Sequence, residues 1–353
     1  MGDVGVIAFC TPLEACHGGK IQSIDLEYKN IGSKGIEAIG RAFRSSMSLI
    51  ELRLSRNPSI GDNCIVSFNQ GEDMFQSLKL LDLSACSIGS IGMEKLTEAL
   101  LQRTTHSRMS LKLDENLLGA ASCNSLRRLI SSSQLSSLSI KGCSIGDDGL
   151  QILKSPIHMK HCRGLNTLNL GDNGIGPMGA QYLAKLLAET DLMMDINDLD
   201  LSRNPLGSDG VTFIISALQQ STAREPLRLD LTSTGCGIEG ALSALNCRNI
   251  RSLILFNNAL GSDGFTALAS MLKGGHPELE YLDLGGNMAE ADAVNNILIA
   301  LGHKNSTVVS TLKTIILGGN ATNEAIEKKV NELILIRPEL DVAFDLSDRV
   351  RDD

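Results

Sequence analysis

The densest group of residues able to do chemistry is His158, His161 and Cys162. Imidazole and thiolate are zinc ligands, but a zinc site takes three or four of them, and no fourth ligand stands near in sequence. The group reads as a solvated loop, so no metal and no cofactor is expected. The nine Cys include no C-x-x-C pair, and an odd count at irregular spacing is not a disulfide framework. Gly18-Gly19-Lys20 precedes Ile21 where a phosphate-binding loop needs Ser or Thr, and the upstream glycine spacing is wrong. Neither G-x-S-x-G nor H-E-x-x-H occurs, which removes two common hydrolase signatures. The sequons at Asn305 and Asn320 are weak signals. No catalytic residue is assigned, and the chain reads as a non-enzyme.

The composition fits that reading. Hydrophobic residues make up 42 % and charged residues 21 %, as in an ordinary folded protein. Aromatics are 3 % with no Trp, so the core must be aliphatic. A net charge of −9 argues against nucleic acid, whose binding needs cations to displace phosphate counterions. No apolar run reaches the roughly 18 residues of a membrane span, so no membrane insertion is expected. Met1 to Cys16 lacks the basic and apolar segments of a signal peptide. A reduced, cytoplasmic protein is the expectation. A chain of 353 residues is long for one core, which leaves two domains or one elongated array.

A repeat decides for the array. Apolar pairs recur at Ile24 and Leu26, Leu52 and Leu54, Leu81 and Leu83, Leu111 and Leu113, Leu138 and Ile140, and Leu168 and Leu170. They continue at Leu199 and Leu201, Leu229 and Leu231, Leu253 and Leu255, Leu282 and Leu284, and Ile315 and Leu317. These fill the fourth and sixth positions of L-x-x-L-x-L-x-x-N-x-L, at a mean period of about 29 residues. The ninth position holds Lys29 and then Asn57, Cys86, Asn116, Cys143, Asn173, Asn204, Thr234, Asn258, Asn287 and Asn320. All but the first are small residues with a donor. Turn backbone left unpaired inside a stack costs about 1–3 kcal/mol per group, so these ten residues are expected to form a buried structural ladder.

A G-x-x-G box follows most turns, as at Gly89 and Gly92, Gly146 and Gly149, and Gly207 and Gly210. Its first Gly suits a turn with unusual dihedrals. Ser208 and Asp147, just after it, are expected N-caps, and an apolar pattern at helical spacing comes next. Each unit is thus strand, turn, helix and return. The fold class is α/β: a leucine-rich-repeat solenoid of about eleven repeats, a horseshoe with a parallel concave sheet inside and helices outside. Residues 1–20 form an N-terminal cap, 21–337 the array, and 338–353 a closing strand and tail. In the cap, Val4 to Phe9 is expected as an edge strand, with a helix starting at Thr11-Pro12. In the tail, Leu340, Val342, Phe344 and Leu346 alternate as a strand does. The insert around Ser155–Arg163 and the short repeat after Leu229 are expected length variation.

Alternate strand residues point into the concave face. They are Asp25, Arg53, Asp82, Lys112, Ser139, Asn169, Asp200, Asp230, Ile254, Asp283 and Ile316, with Phe256 and Tyr281 beside the last few. Apolar and aromatic side chains grouped on one face are what interaction hot spots look like, so this set, Ser139 and Asn169 aside, is the expected partner-binding surface.

These motifs, from Ile21 to Arg337, resemble the ribonuclease-inhibitor-like subfamily of leucine-rich-repeat proteins. The resemblance implies a protein-protein interaction scaffold or adaptor whose partner it does not name. The turn Phe256-Asn257-Asn258-Ala259-Leu260-Gly261 is similar to one in the Ran GTPase-activating protein family, which gives the alternative of a small-GTPase regulator. A structural subunit of a large cytoskeletal or ciliary assembly is the third reading.

Overall fold

The computed structural model describes residues 1–44, 46–68, 75–105, 107–154, 163–189, 195–220, 226–274, 278–302 and 311–344. It divides into two compact units, Met1–Gly174 with Glu189–Ile196, and Ile175–Ala188 with Asn197–Asp353.

The first unit runs α1 (Gly2–Glu14), β1 (Ser23–Asp25), α2 (Ser33–Ala42), β2 (Glu51–Arg53), α3 (Gly61–Phe68), β3 (Leu80–Asp82), α4 (Ser90–Leu101) and β4 (Met109–Lys112). It continues through a short 3-10 turn (Ala120–Ser122), α5 (Cys123–Ser131), β5 (Leu135–Ser139), α6 (Gly146–Leu153) and β6 (Thr167–Asn169). Each strand pairs in parallel with the next, in a register that aligns Ile24, Leu52, Leu81, Leu111, Leu138 and Leu168. These six are buried. A side-chain period of two leaves no freedom here: a one-residue slip would turn the whole leucine row to the other face.

The second unit holds most of α7 (Pro177–Glu189), then β7 (Asp198–Asp200), α8 (Gly207–Gln220), β8 (Leu227–Asp230), α9 (Gly237–Leu245) and β9 (Ile250–Ile254). After these come α10 (Gly261–Gly274), β10 (Tyr281–Asp283), α11 (Ala291–Leu301), β11 (Thr314–Ile316), α12 (Glu324–Ile336) and β12 (Asp341–Ala343). Its parallel register aligns Leu199, Leu229, Leu253, Leu282, Ile315 and Val342. The repeat architecture is that of a leucine-rich-repeat solenoid. Two short repeats, Leu111 to Leu138 and Leu229 to Leu253, each carry a register shift where their strands meet, at Met109/Ser110 and at Leu227/Arg228.

Two expectations at the front are corrected. Val4 to Phe9 is helical, and the helix starts at Gly2 with Pro12 inside it. Val6 and Cys10, four residues apart and both buried, show why: they share one face of a helix. Ser208 and Asp147 do not cap. Their helices begin at Gly207 and Gly146 themselves, and α6 has no side-chain cap. For α2 and α4 the carboxylate comes from the preceding helix instead: Asp3 accepts the Gly32 N–H at 2.7 Å and Asp62 accepts the Gly89 N–H at 2.6 Å. A carboxylate there also meets the positive end of the helix dipole. At the back, β12 pairs in parallel with β11; Leu346 and the tail from Asp345 lie outside the described residues.

The box glycines have two different reasons. Gly146, Gly207, Gly237 and Gly261 have φ between 61° and 66°, a region that costs L-residues energy. The second glycines are required by space. A Cβ on Gly210 would meet Ala180 Cβ at 3.1 Å and Pro177 Cα at 3.3 Å, so each helix runs close against its predecessor there.

Among the described residues, packing leaves one buried hydroxyl without a partner, Thr97 Oγ1 in α4. Valine has the same shape without the polar group. Thr97→Val should therefore raise unfolding free energy by about 1 kcal/mol, read from urea denaturation; a loss of stability would show that the hydroxyl is satisfied.

Candidate functional site

The ninth-position residues bond to the backbone of the turns. Asn57 Nδ2 donates to Leu26 O at 2.9 Å and Leu54 O at 2.8 Å, while its Oδ1 accepts the Lys29 and Ile31 N–H groups. Asn116, Asn173 and Asn287 repeat this bridge between neighbouring turns. Asn320 makes it too, donating to Leu284 O and Leu317 O, and Asn204 donates to the carbonyl of Leu201 in its own turn. Asn258 donates to Leu231 O, and the Thr234 hydroxyl donates to the same carbonyl. Cys86 and Cys143 donate a thiol to Leu54 O and Leu113 O at 3.2 and 3.1 Å. Burial pushes both thiols up to about 12, so they are donors rather than nucleophiles.

The eighth position, just before the ladder residue, is left-handed in every repeat, from Ala85 at φ 52° to Gly319 at φ 75°. Tyr28, Arg56, Glu115, Asp172, Arg203, Ser233 and Asn257 all adopt it. Bulky residues rarely do so, and the sequence pattern alone gave no sign of it.

The strand-face aspartates have a structural role. Asp25, Asp82, Asp200, Asp230 and Asp283 each accept the N–H two residues on, at 2.8 to 3.0 Å, and Asn169 does the same for Gly171. Each closes the start of its own turn. In the fifth repeat Ser139 holds that position, and Asp114 of the preceding repeat accepts the Lys141 N–H and the Ser139 hydroxyl instead. Burial raises the Asp230 carboxyl above its usual range, and Asp200, its register partner, adds like-charge repulsion. Arg228 counters this, 3.0 Å from Asp198 and 3.6 Å from Asp230.

Asp25 is exposed and Arg53, Asp82 and Lys112 are half-buried, with Arg53 paired to Glu51 at 2.8 Å. In the second unit the expectation is corrected. Ile254, Asp283 and Ile316 are 8, 1 and 0 % exposed, so none offers contact area to a partner. Phe256 and Tyr281 are half-buried. The Phe256 ring lies on Gly285 and Gly286, close enough that a Cβ on either would meet it at about 3 Å. The Asn258 of the turn 256–261 belongs to the ladder, and Asn257 donates to the Ser233 hydroxyl at 2.8 Å.

Sequence reasoning missed two buried arginines. Arg103 and Arg337 donate to Leu78 O and Leu312 O at 3.0 and 2.8 Å, fastening the end of a helix to the residue that leads into its own strand. Both stand the same distance after a ladder residue, Cys86 and Asn320, which is the signal that could have found them. Among the described residues no group of acids, His and Cys could hold a metal. The cluster His158, His161 and Cys162 and the sequon at Asn305 lie outside the described residues.

The thiols give a direct test. Of the described cysteines only Cys16 is exposed, and Cys123 and Cys236 are also pushed up to about 12 by burial. With iodoacetamide at pH 8, Cys86, Cys123, Cys143 and Cys236 should stay unlabelled by peptide mass spectrometry until the chain is unfolded, while Cys16 reacts. Labelling of Cys86 in the native chain would contradict its place in the ladder.

The repeats match the family model described as Leucine Rich repeat at residues 76–96, 131–153, 161–184, 194–214 and 246–269. The chain is a leucine-rich-repeat protein. Within that class it is similar to the ribonuclease inhibitor of Sus scrofa, at 27 % identity over 320 residues, 80 % of this chain and 68 % of that protein. The Mus musculus ribonuclease inhibitor is also 27 % identical, over 77 % of this chain and 66 % of its own length. The NACHT, LRR and PYD domains-containing protein 12 of Mus musculus is 29 % identical over 88 % of this chain but only 29 % of its own length. Among solved structures, a chain of the yeast Rad7 and Elc1 complex is 16 % identical with a TM-score of 0.42, over 99 % of this chain and 89 % of that one. No helix among the described residues is long and apolar enough to cross a membrane.

Proposed function

We propose that this chain is a non-enzymatic interaction scaffold of the cytoplasm that binds a partner protein on the strand face of its repeats. The observation that carries the reading is the charged row Asp25, Arg53, Asp82 and Lys112 on β1 to β4, in which Asp25 is exposed and the other three are half-buried rather than part of the core. Asp25 and Asp82 also close their turns, so Arg53 and Lys112 are the members with least structural duty. Charges so placed steer encounter and set register more than they add affinity. The likeness to ribonuclease inhibitors, which by name act on another protein, supports a binding role. In the second unit, Phe256 and Tyr281 remain as candidate contacts and the buried Ile254, Asp283 and Ile316 serve as their floor.

The test is affinity purification with quantitative mass spectrometry, comparing the full chain with an Arg53→Glu, Lys112→Glu variant whose fold is confirmed by circular dichroism. Proteins that bind the strand face should be depleted at least tenfold in the variant and show strong salt dependence. Partners retained by this variant but lost with Lys185→Glu on α7 would refute the strand-face reading.

A further inference from the structure

Arg103, just past the end of α4, carries a buried charge that no described residue balances. It is 5 % exposed, and a guanidinium stays protonated at any ordinary pH. Its Nη2 donates to Leu78 O and to Ser107 O, both at 3.0 Å. Its Nε and Nη1 are buried with no partner, and burial lowers its pKa. A cation taken out of water is ordinarily met by an anion, because the lost hydration has to be replaced.

The second buried arginine shows what such a charge takes. Arg337 stands in the same place after α12 and makes the same bond, from Nη2 to Leu312 O at 2.8 Å. There the anion comes from two residues on. Glu339 accepts from Arg337 Nε at 3.1 Å, although the Glu339 side chain is 54 % exposed. A side chain at that offset thus reaches the buried fork from the surface. Two residues after Arg103 stands Thr105, uncharged and half-buried, in the connection between α4 and β4. The backbone of Ser107 joins the two. Its carbonyl accepts from the Arg103 fork, and its N–H donates to Thr105 Oγ1 at 3.1 Å. The hydroxyl therefore belongs to the turn that folds back onto the guanidinium.

We propose that Thr105 is a phosphorylation site whose phosphate supplies the counter-charge for Arg103. In a protein kinase, Thr105 Oγ1 attacks the terminal phosphorus of a nucleoside triphosphate. The bond to the nucleoside diphosphate breaks, the diphosphate leaves, and the hydroxyl proton passes to the base of the kinase. Phosphothreonine brings close to two negative charges at neutral pH and several strong acceptor oxygens. The planar guanidinium fork matches them better than any other cation. Thr104 is the wrong neighbour, since its N–H and its hydroxyl both meet Gln76 Oε1, at 2.9 and 3.2 Å. The phosphate would latch the connection that leads into β4, the strand that carries Lys112.

Two measurements test this. The chain isolated from its own cells under phosphatase inhibition, mapped by peptide mass spectrometry, should carry phosphate on Thr105; its absence there would overturn the proposal. Urea denaturation then reads the latch. The full chain with phosphothreonine built in at position 105 should have a folding equilibrium constant roughly tenfold above that of the unmodified chain. Thr105→Glu should exceed Thr105→Gln, which has the same shape without the charge, in the same direction. Both gains should vanish in an Arg103→Lys background, which keeps the charge and loses the fork. Should Arg103→Lys fail to fold, Thr104→Glu against Thr104→Gln is the second control, and a Glu-over-Gln gain at Thr105 no larger than at Thr104 would overturn the proposal. Inorganic phosphate added to the unmodified chain at constant ionic strength separates the sources of the anion. Stabilisation by the free ion equal to that by phosphothreonine would make this a site for a free anion and overturn the assignment to Thr105.

Discussion

Asn173→Ala should lower the unfolding free energy by about 4 kcal/mol, while Asp172→Ala, one residue earlier, should cost less than about 1 kcal/mol. The Asn173 amide donates to Ile140 O, Leu170 O and Gly171 O at 2.8, 3.0 and 3.0 Å. Its oxygen accepts the N–H groups of Cys143 and Ile145 at 3.0 and 3.2 Å. The residue is 2 % exposed, so alanine leaves these backbone groups unpaired where bulk water does not reach, and each unmet group costs about 1–3 kcal/mol. Some relaxation and shared acceptors bring the sum below simple addition. Asp172 is exposed and left-handed, a conformation that Asp tolerates better than Ala, so its replacement loses only that small preference. Asn173→Asp keeps the acceptor but turns lone pairs toward three carbonyls, and should be at least as harmful as alanine. Urea denaturation of the three variants decides: similar midpoints for Asn173→Ala and Asp172→Ala would mean the ladder is not what holds the turns together.

The contrast between those two neighbours shows what could be read from the sequence. The leucine register and the ladder were legible because each answers a demand made at every repeat, apolar volume in one case and turn carbonyls in the other. Repetition turns such a demand into a pattern. The turn-closing role of the strand-face aspartates was not legible for the opposite reason. A carboxylate on an alternating strand looks the same whether it meets a partner or closes its own turn, and only the 2.8 Å contact from Asp200 to the Ser202 N–H separates the two. The strand position of Ile316 points away from the helices and reads as surface, yet the residue is 0 % exposed, which no local pattern encodes. At the front, Val4 to Phe9 has no strict alternation to mark a strand, and the buried pair Val6 and Cys10 sits at helical spacing. There Pro12 lies inside the helix and does not mark its start.

The two glycines of one box should separate by the reason each is needed. Gly146→Asn should cost less than about 1 kcal/mol, because Gly146 has φ 63° and a Cβ there would meet nothing within 4 Å. Asn is among the residues that enter the left-handed region most readily, and the backbone N–H can still reach Asn173 O, 2.9 Å away. Gly149 has ordinary helical geometry, yet Gly149→Ala should cost about 3 kcal/mol. Its Cβ would come within 2.5 Å of Ile145 Cγ2 and 2.9 Å of Cys123 Sγ, with Ala120 Cα at 3.4 Å. Ile145 and Cys123 are 1 and 0 % exposed, so neither can swing into solvent, and α5 and α6 must move apart along their contact. Cys123→Ala would open part of that space. The double variant Cys123→Ala, Gly149→Ala should then be more stable than the sum of the single losses implies, by at least about 0.5 kcal/mol. Denaturation of the four chains reads all of this at once. Equal losses at Gly146 and Gly149, or strict additivity with Cys123, would mean that the second glycine serves the backbone and not the close approach of neighbouring helices.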